Sequence, residues 1–310
     1  MNFSNRFNYI IEINRENNGF SSSRARPIFV LSRHIHAAKE NHMRLMTWNI
    51  NSVRLRIGLL SQVIDRMKPD VFCLQETKTP DEFFPVDALV DKGFRHYHFS
   101  GMKGYNGVAI FSKHPLEDKQ IHGRCGKDDC RHISAKVKGK GTSFDLHNIY
   151  IPAGGDEPDP AVNVKFKHKL DFVDELAKWF PKERSSKTPV VAVGDFNIAP
   201  LEHDVWDHKK MLKVVSHTPI EVEKFTKFYN NFDWVDAVRH FVPEDKKCYS
   251  WWSYRAADWD AADRGRRLDH IWVTPKLKPA LKKHEIIREI RGWQQPSDHV
   301  PVLVDIKDAA

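Results

Sequence analysis

Apolar runs in this chain repeatedly stop on a carboxylate, an amide or a hydroxyl. RLMTW ends at Asn49-Ile50-Asn51, VFCLQ at Glu76, SFDLHNI at Tyr150, and PVVAVG at Asp195-Phe196-Asn197. The final run, VPVLVDI, is entered from Ser297-Asp298-His299. Runs of four to eight apolar residues bounded by turn formers read as buried strands. Strand ends in packed sheets gather on one rim, where loops carry function on a rigid scaffold. Oxygen ligands grouped this way suit a hard ion such as Mg2+, which takes one or two carboxylates and shares its shell with water and phosphate. The residue types fit metal-assisted phosphoester hydrolysis: a metal carboxylate, a second carboxylate to direct water, amides to hold both, and a histidine to meet the phosphate.

The remaining pattern fills in the fold. Val53 to Met67 has helical spacing in Val53, Ile57, Leu60 and Ile64, and Pro69-Asp70 breaks it. A second amphipathic helix spans 162–180, with Pro181 expected to end it. Further strands are expected in GVAIFS, HISAKV and LDHIWV. Helices mixed with strands and joined by no long linker predict one α/β domain over 43–310 with two sheets. Residues 1–42 are Asn- and Ser-rich without a sustained period and read as a disordered extension, or as lying upstream of a true start at Met43. Glu12 and Glu16 count against a transit peptide, which avoids acids.

Charge and cysteine content narrow the surroundings. The 310 residues carry 49 Lys plus Arg against 41 Asp plus Glu, a formal +8, which is compatible with a polyanionic partner and equally with a solubilising surface. Four cysteines are too sparse for a disulfide scaffold, and Cys73 inside VFCL reads as a buried thiol. Between His122 and His132 lie Cys125 and Cys130, but the spacing fits no standard zinc pattern, so a solvated hairpin loop is expected.

Singly, each strand-end residue has an ordinary reading as turn former, solvated acid or core phenol. Together, MTWNINSVRLR, DVFCLQETK, GYNGVAIFS, NIYIP, GDFNIAP, RRLDHIWV and SDHVPV resemble the exonuclease III family of abasic-site endonucleases, within the endonuclease/exonuclease/phosphatase superfamily. The resemblance runs from Met43 to about Ile306 in order and spacing. It implies a four-layer α/β/β/α sandwich, two packed mixed sheets flanked by helices, with the site at one rim.

The resemblance also implies roles. Glu76 corresponds to the principal metal ligand, with Asn49, Asn51 and Asp298 as further candidates, and Asn49 also to a catalytic residue that supports the attacking water. Asn51 stands where some relatives have an aspartate, so it would act through its carbonyl oxygen. Asp195 corresponds to the residue that activates water, Asn197 to the amide that positions it, and Tyr150 to a hydroxyl donor to the phosphate. His299 corresponds to the imidazole on a non-bridging oxygen, with Asp298 expected to fix its orientation, and Asp269 to a buried partner that holds the site together. Arg54, Lys78 and Arg131 match basic residues near DNA phosphates, while Trp251 and Leu268 match the walls of a pocket for an extruded abasic sugar. Two departures stand out: Arg266 replaces an aromatic or aliphatic wall residue, and Ala153 replaces an amide after Tyr-x-Pro.

The implied activity is a Mg2+-dependent DNA-repair phosphodiesterase, with Mn2+ as a substitute, that cuts 5′ to abasic sites and trims 3′ ends. The implied partner is double-stranded DNA, met by a monomer in the cytoplasm beside the nucleoid, with no membrane. The rivals are a phosphatase of inositol phosphates or a sphingomyelinase-like enzyme on the same fold, and a non-catalytic DNA-binding protein on a decayed scaffold. The filled catalytic positions weigh against the last.

Overall fold

The computed structural model describes residues 42–307. The expected extension therefore lies outside the described residues, except that His42 opens the first strand. The strands are β1 (His42–Asn49), β2 (Val71–Gln75), β3 (His96–Met102), β4 (Tyr105–Ser112), β5 (Leu116–Ile121), β6 (His132–Lys138), β7 (Ser143–Ile149), β8 (Val190–Asp195), β9 (Val235–Asp236), β10 (Trp251–Trp252), β11 (Gly265–Arg266), β12 (Asp269–Val273), β13 (Leu281–Ile286) and β14 (Val302–Lys307). The helices used below are α1 (Val53–Met67), α2 (Asp87–Val90), α3 (Val164–Glu183), α4 (His208–Met211) and α5 (Pro219–Asn230).

Two six-stranded sheets form, in the orders β13-β14-β1-β2-β4-β3 and β5-β6-β7-β8-β12-β9. Each contains one parallel pair, β1 with β2 and β7 with β8, among antiparallel neighbours. A parallel pair needs a crossover, and α1 and α3 supply the two. Side-chain alternation then sorts the layers. Leu45, Cys73, Ile110, Leu146 and Val193 fill the space between the sheets. Met46, Trp48 and Phe72 face outward onto Leu60, Val63 and Ile64 of α1. Ile149, Val190 and Trp272 face outward onto Phe172, Val173 and Leu176 of α3. The result is the α/β/β/α sandwich that the sequence implies, and Cys73 is a buried free thiol within it.

One helix boundary differs from expectation. Asn163 caps α3, accepting from the amides of Lys165 and Phe166, and the helix passes through Pro181 to Glu183. A proline so near the end removes one N–H donor, and the carbonyl left over on Ala177 accepts instead from Asn231 Nδ2 at 3.1 Å. No helix among the described residues is long and apolar enough to cross a membrane.

Candidate active site

The two parallel pairs decide where chemistry can occur. Their carboxyl ends lie at one rim, and α/β sheets bind ligands beyond such ends. Asn49 closes β1, Glu76 follows β2, Tyr150 follows β7, and Asp195 closes β8. Antiparallel partners return to the same rim: Asp269 opens β12 directly opposite Asp195, and His299 precedes β14, the partner of β1. The turns leaving the strands are tight, with Asn51, Glu76, Lys78 and Asn197 all at positive φ. Such strain collects at functional sites where the surroundings enforce it. Gly194 has no alternative residue, because a Cβ there would lie 1.9 Å from the Ile149 carbonyl oxygen.

The side chains form one connected network. Asn49 Nδ2 donates to Glu76 Oε1 and to Asp195 Oδ2, both at 2.9 Å. The Tyr150 hydroxyl donates to Glu76 Oε1 at 2.9 Å. Asn197 Nδ2 donates to Asp195 Oδ2 at 3.1 Å and to the Ile151 carbonyl at 2.9 Å. His299 Nδ1 donates to Asp269 Oδ2 at 2.8 Å, and its Nε2 lies 3.6 Å from Asp195 Oδ2. Asp298 accepts from Trp251 Nε1 at 2.9 Å and from Asn51 Nδ2 at 3.1 Å.

Electrostatics follow from this packing. Burial lowers the His299 imidazole, but the charges of Asp269 and Asp195 overcome that penalty and raise it to about 10. Asp195 is pushed up to about 7, by burial first and by the neighbouring Asp269 and Glu76, against the pull of His299. Burial also opposes the charge on Glu76, yet Lys78 and Asn49 hold this carboxyl below its usual range. Burial and the carboxylates of Glu76 and Asp195 drive the Tyr150 phenol well up, so it stays a neutral donor.

A cation position is already defined. Lys78 Nζ lies 2.7 Å from Glu76 Oε2 and 2.7 Å from Asn51 Oδ1, so two hard oxygens converge on one ammonium. That donor set fits a hard divalent ion. Asn49 departs from the ligand role: its amide nitrogen is committed to two carboxylates, and its Oδ1 accepts from the Asn51 amide at 3.1 Å.

Two further expectations are corrected. The residue that orients His299 is Asp269, not Asp298, because β8 and β12 pair Asp195 with Asp269 and bring that carboxylate to the ring's Nδ1. Arg131 is only 5% exposed: it pairs with Asp129 at 2.7 Å and lies over the Tyr150 ring at 4.7 Å. It therefore braces Tyr150 and offers no open cation to a phosphate. Arg54, by contrast, is exposed on the first turn of α1. Trp251 and Leu268 line a cavity that Glu76, Asn197 and His299 border.

Some supporting residues have no role implied by the strand-end motifs. The Ser297 hydroxyl donates to the Asn49 carbonyl at 2.7 Å and accepts from the His299 amide at 3.2 Å, tying two strand ends together. Lys169 of α3, fully buried, pairs with Glu221 and donates to the Asn197 carbonyl at 2.7 Å. Its position on the apolar face of α3, between Phe166 and Val173, was the available signal. The His122–His132 segment does form a hairpin through Arg124 and Lys127, but Cys125 and Cys130 are half-buried free thiols and Arg124 is buried, so it is less solvated than expected.

Known proteins resemble this chain in sequence and fold. The model of the endonuclease/exonuclease/phosphatase family matches residues 46–299. Exodeoxyribonuclease III of Haemophilus influenzae is 31% identical, over 86% of this chain and all of that protein. The solved AP endonuclease of Archaeoglobus fulgidus is 30% identical with a TM-score of 0.79, covering 86% of this chain and all of that one. A 3′ phosphatase from Neisseria, solved with product DNA hairpin, is 30% identical with a TM-score of 0.75, covering 86% of this chain and 99% of that one.

Proposed function

Because the chain belongs to the endonuclease/exonuclease/phosphatase family, we propose that it is a DNA-repair hydrolase that cuts phosphodiesters 5′ to abasic sites and at 3′ ends. The similar proteins are an exodeoxyribonuclease, an AP endonuclease and a 3′ phosphatase, which supports DNA as substrate. The single observation that carries the chemistry is the charged His299 held between Asp269 and Asp195, beside the Glu76 cation position.

Glu76 and the Asn51 carbonyl would hold the metal, with Asp298 reached through Asn51. A bound Mg2+, or Mn2+ in its place, would polarise the phosphate and offset charge on the departing 3′ oxygen. Asp195, raised to about 7, is suited to take the proton of the attacking water. His299, as imidazolium, donates to a non-bridging oxygen where charge develops, and the Asn197 amide and Tyr150 hydroxyl add neutral donors. The P–O3′ bond breaks, the electron pair leaves on the 3′ oxygen, and that oxygen ends as a 3′ hydroxyl. Asn49 keeps Glu76 and Asp195 at fixed separation throughout.

Arg54 and Lys78 are the proposed phosphate contacts on duplex DNA; such contacts give affinity without reading sequence. Trp251 and Leu268 are the proposed walls for the extruded sugar. The proposed working state is a monomer on nucleoid DNA in the cytoplasm.

The test is a labelled duplex with one abasic-site analogue, beside an intact duplex, with Mg2+ and with EDTA. A Mg2+-dependent cut immediately 5′ to the lesion is expected, and no cleavage of either duplex would overturn the reading. Glu76→Gln should shift the metal response sharply to higher concentration, and an unchanged response would remove Glu76 from the metal site.

A further inference from the structure

Two adjacent arginines, Arg266 at the end of β11 and Arg267 just after it, have opposite fates. Arg267 is buried and fully neutralised, 2.7 Å from Asp204 and 2.6 Å from Asp236. Arg266 points the other way, into a cavity of about 660 Å³ that reaches Glu76, Asn197 and His299. Among the described residues no carboxylate forms an ion pair with Arg266. Its guanidinium lies 4.8 Å above the Trp251 ring, and Nη1 donates to Ser216 Oγ at 2.9 Å and to the Val215 carbonyl at 3.2 Å. Its Nε is buried without a partner. Burial draws this side chain down to about 10, and only the charge of Glu221 pushes back, so it remains a cation at neutral pH.

A half-buried cation with an unused donor is costly unless an anion completes it. The cavity supplies the place for one. Arg264 stacks on Trp206 at 4.9 Å along the same wall, adding a second positive charge. The position of Arg266 is also locked to the catalytic rim. Trp251, on which it stacks, pairs with Arg266 across β10 and β11, bridges to His299 through the backbone, and donates its indole N–H to Asp298.

We propose that Arg266 makes this cavity an anion-receiving subsite, which selects DNA 3′ termini carrying a negatively charged group beyond the phosphate to be cleaved. A carboxylate there completes the guanidinium, while the sugar or spacer rests against Trp251 and Leu268. The inference rests on the phosphodiesterase reading above and adds a substrate preference to it. Arg266 acts here as a specificity residue, since it touches the departing fragment and not the reacting phosphorus.

Two 3′-blocked duplexes separate these ideas. One ends in a 3′-phosphoglycolate and the other in a 3′-(2-hydroxyethyl) phosphate, which has the same scissile P–O3′ bond and a neutral tip. The expected wild-type ratio of kcat/KM is about tenfold in favour of the glycolate, the scale of one charge-assisted hydrogen bond. Arg266→Gln should bring that ratio close to one, and Arg266→Lys should keep part of it, which guards against a general folding defect. A ratio unchanged in Arg266→Gln, or a wild type without preference, overturns the subsite while leaving the hydrolase intact. Failure of the wild type to cut either duplex in Mg2+ overturns the hydrolase reading itself.

Discussion

Two compact clusters of titratable side chains have similar spacing and opposite electrostatics. Asp195, Asp269 and His299 bring ligand-type atoms within 4.8 Å of one another, and so do His122, His132 and His147. In the first, carboxylates overcome burial and raise His299 to about 10. In the second, burial lowers every ring and nearby arginines add to it. His122 falls to about 4, with Arg124 and Arg184 assisting, and His132 and His147 fall well below their usual range. Arg124 also fixes the tautomer: it donates to His132 Nδ1 from both Nε and Nη2, leaving His132 Nε2 to donate to His147 Nδ1 at 3.0 Å. The lone pairs that His132 and His147 would offer a metal are thereby consumed. Beneath Trp179, whose edge or face meets all three rings, the cluster is a neutral stack. Burial sets the cost of charge in both places, and the sign of the neighbours decides whether charge survives.

The largest effect should come from removing the charged ring. His299→Asn is expected to lower kcat at least roughly 100-fold, as for loss of one preorganised transition-state donor. Asp269→Asn should cause a smaller loss, and the double variant should be no slower than His299→Asn alone, because the carboxylate acts through the imidazole. Additive losses in the double variant would show that Asp269 acts on its own, and near-normal turnover by His299→Asn would remove the ring from the mechanism.

The neutral stack should reveal itself in stability. For a histidine whose folded pKa lies below its unfolded value of about 6.5, the unfolded state binds the extra proton first. Stability therefore falls as pH drops below about 6.5, by about 1.4 kcal/mol per pH unit for each fully buried ring. His132 and His147 are both fully buried. His299, raised, adds nothing to this loss, since it is protonated in both states there; its contribution disappears only as pH climbs toward 10. Urea midpoints between pH 7.5 and 5.0 should show the slope, and His147→Phe should remove one proton's share of it. An equal slope in that variant would mean that the stack is not the source.

The contrast also explains what was legible in the sequence. β2 and β8 are buried on both faces and read as nearly continuous apolar runs, β1 and β7 are more mixed, and the end residues of all four mark the rim. β3, β5 and β13 leave little trace in the sequence because they are edge strands: β5 exposes nearly every residue and has shape only through its pairing with β6. Within the site, adjacency in sequence is a poor guide to contact. Asp298 adjoins His299, yet Asp269, thirty positions away, reaches the ring because of strand register. Arg131 looked like a surface cation, but its place opposite the Tyr150 backbone buries it. Lys169 and Glu221 lie on different helices, and nothing local in sequence joins them. Partners fixed by tertiary pairing leave no mark on either segment alone.

The smallest expected effect is the most direct test of the comparison, because it asks one cluster to behave like the other. Ser134 Oγ lies 2.8 Å from His122 Nε2, so Ser134→Asp places a carboxylate where the stack has none. An opposite charge at that range raises a histidine by roughly one to three pH units. His122 should move from about 4 toward or past 6, despite Arg124 and Arg184, as read from its ring resonances in an NMR titration. Ser134→Asn, of like size and no charge, should leave it near 4. If the aspartate variant also stays near 4, burial and not neighbouring charge separates the clusters, and the account of His299 loses its basis.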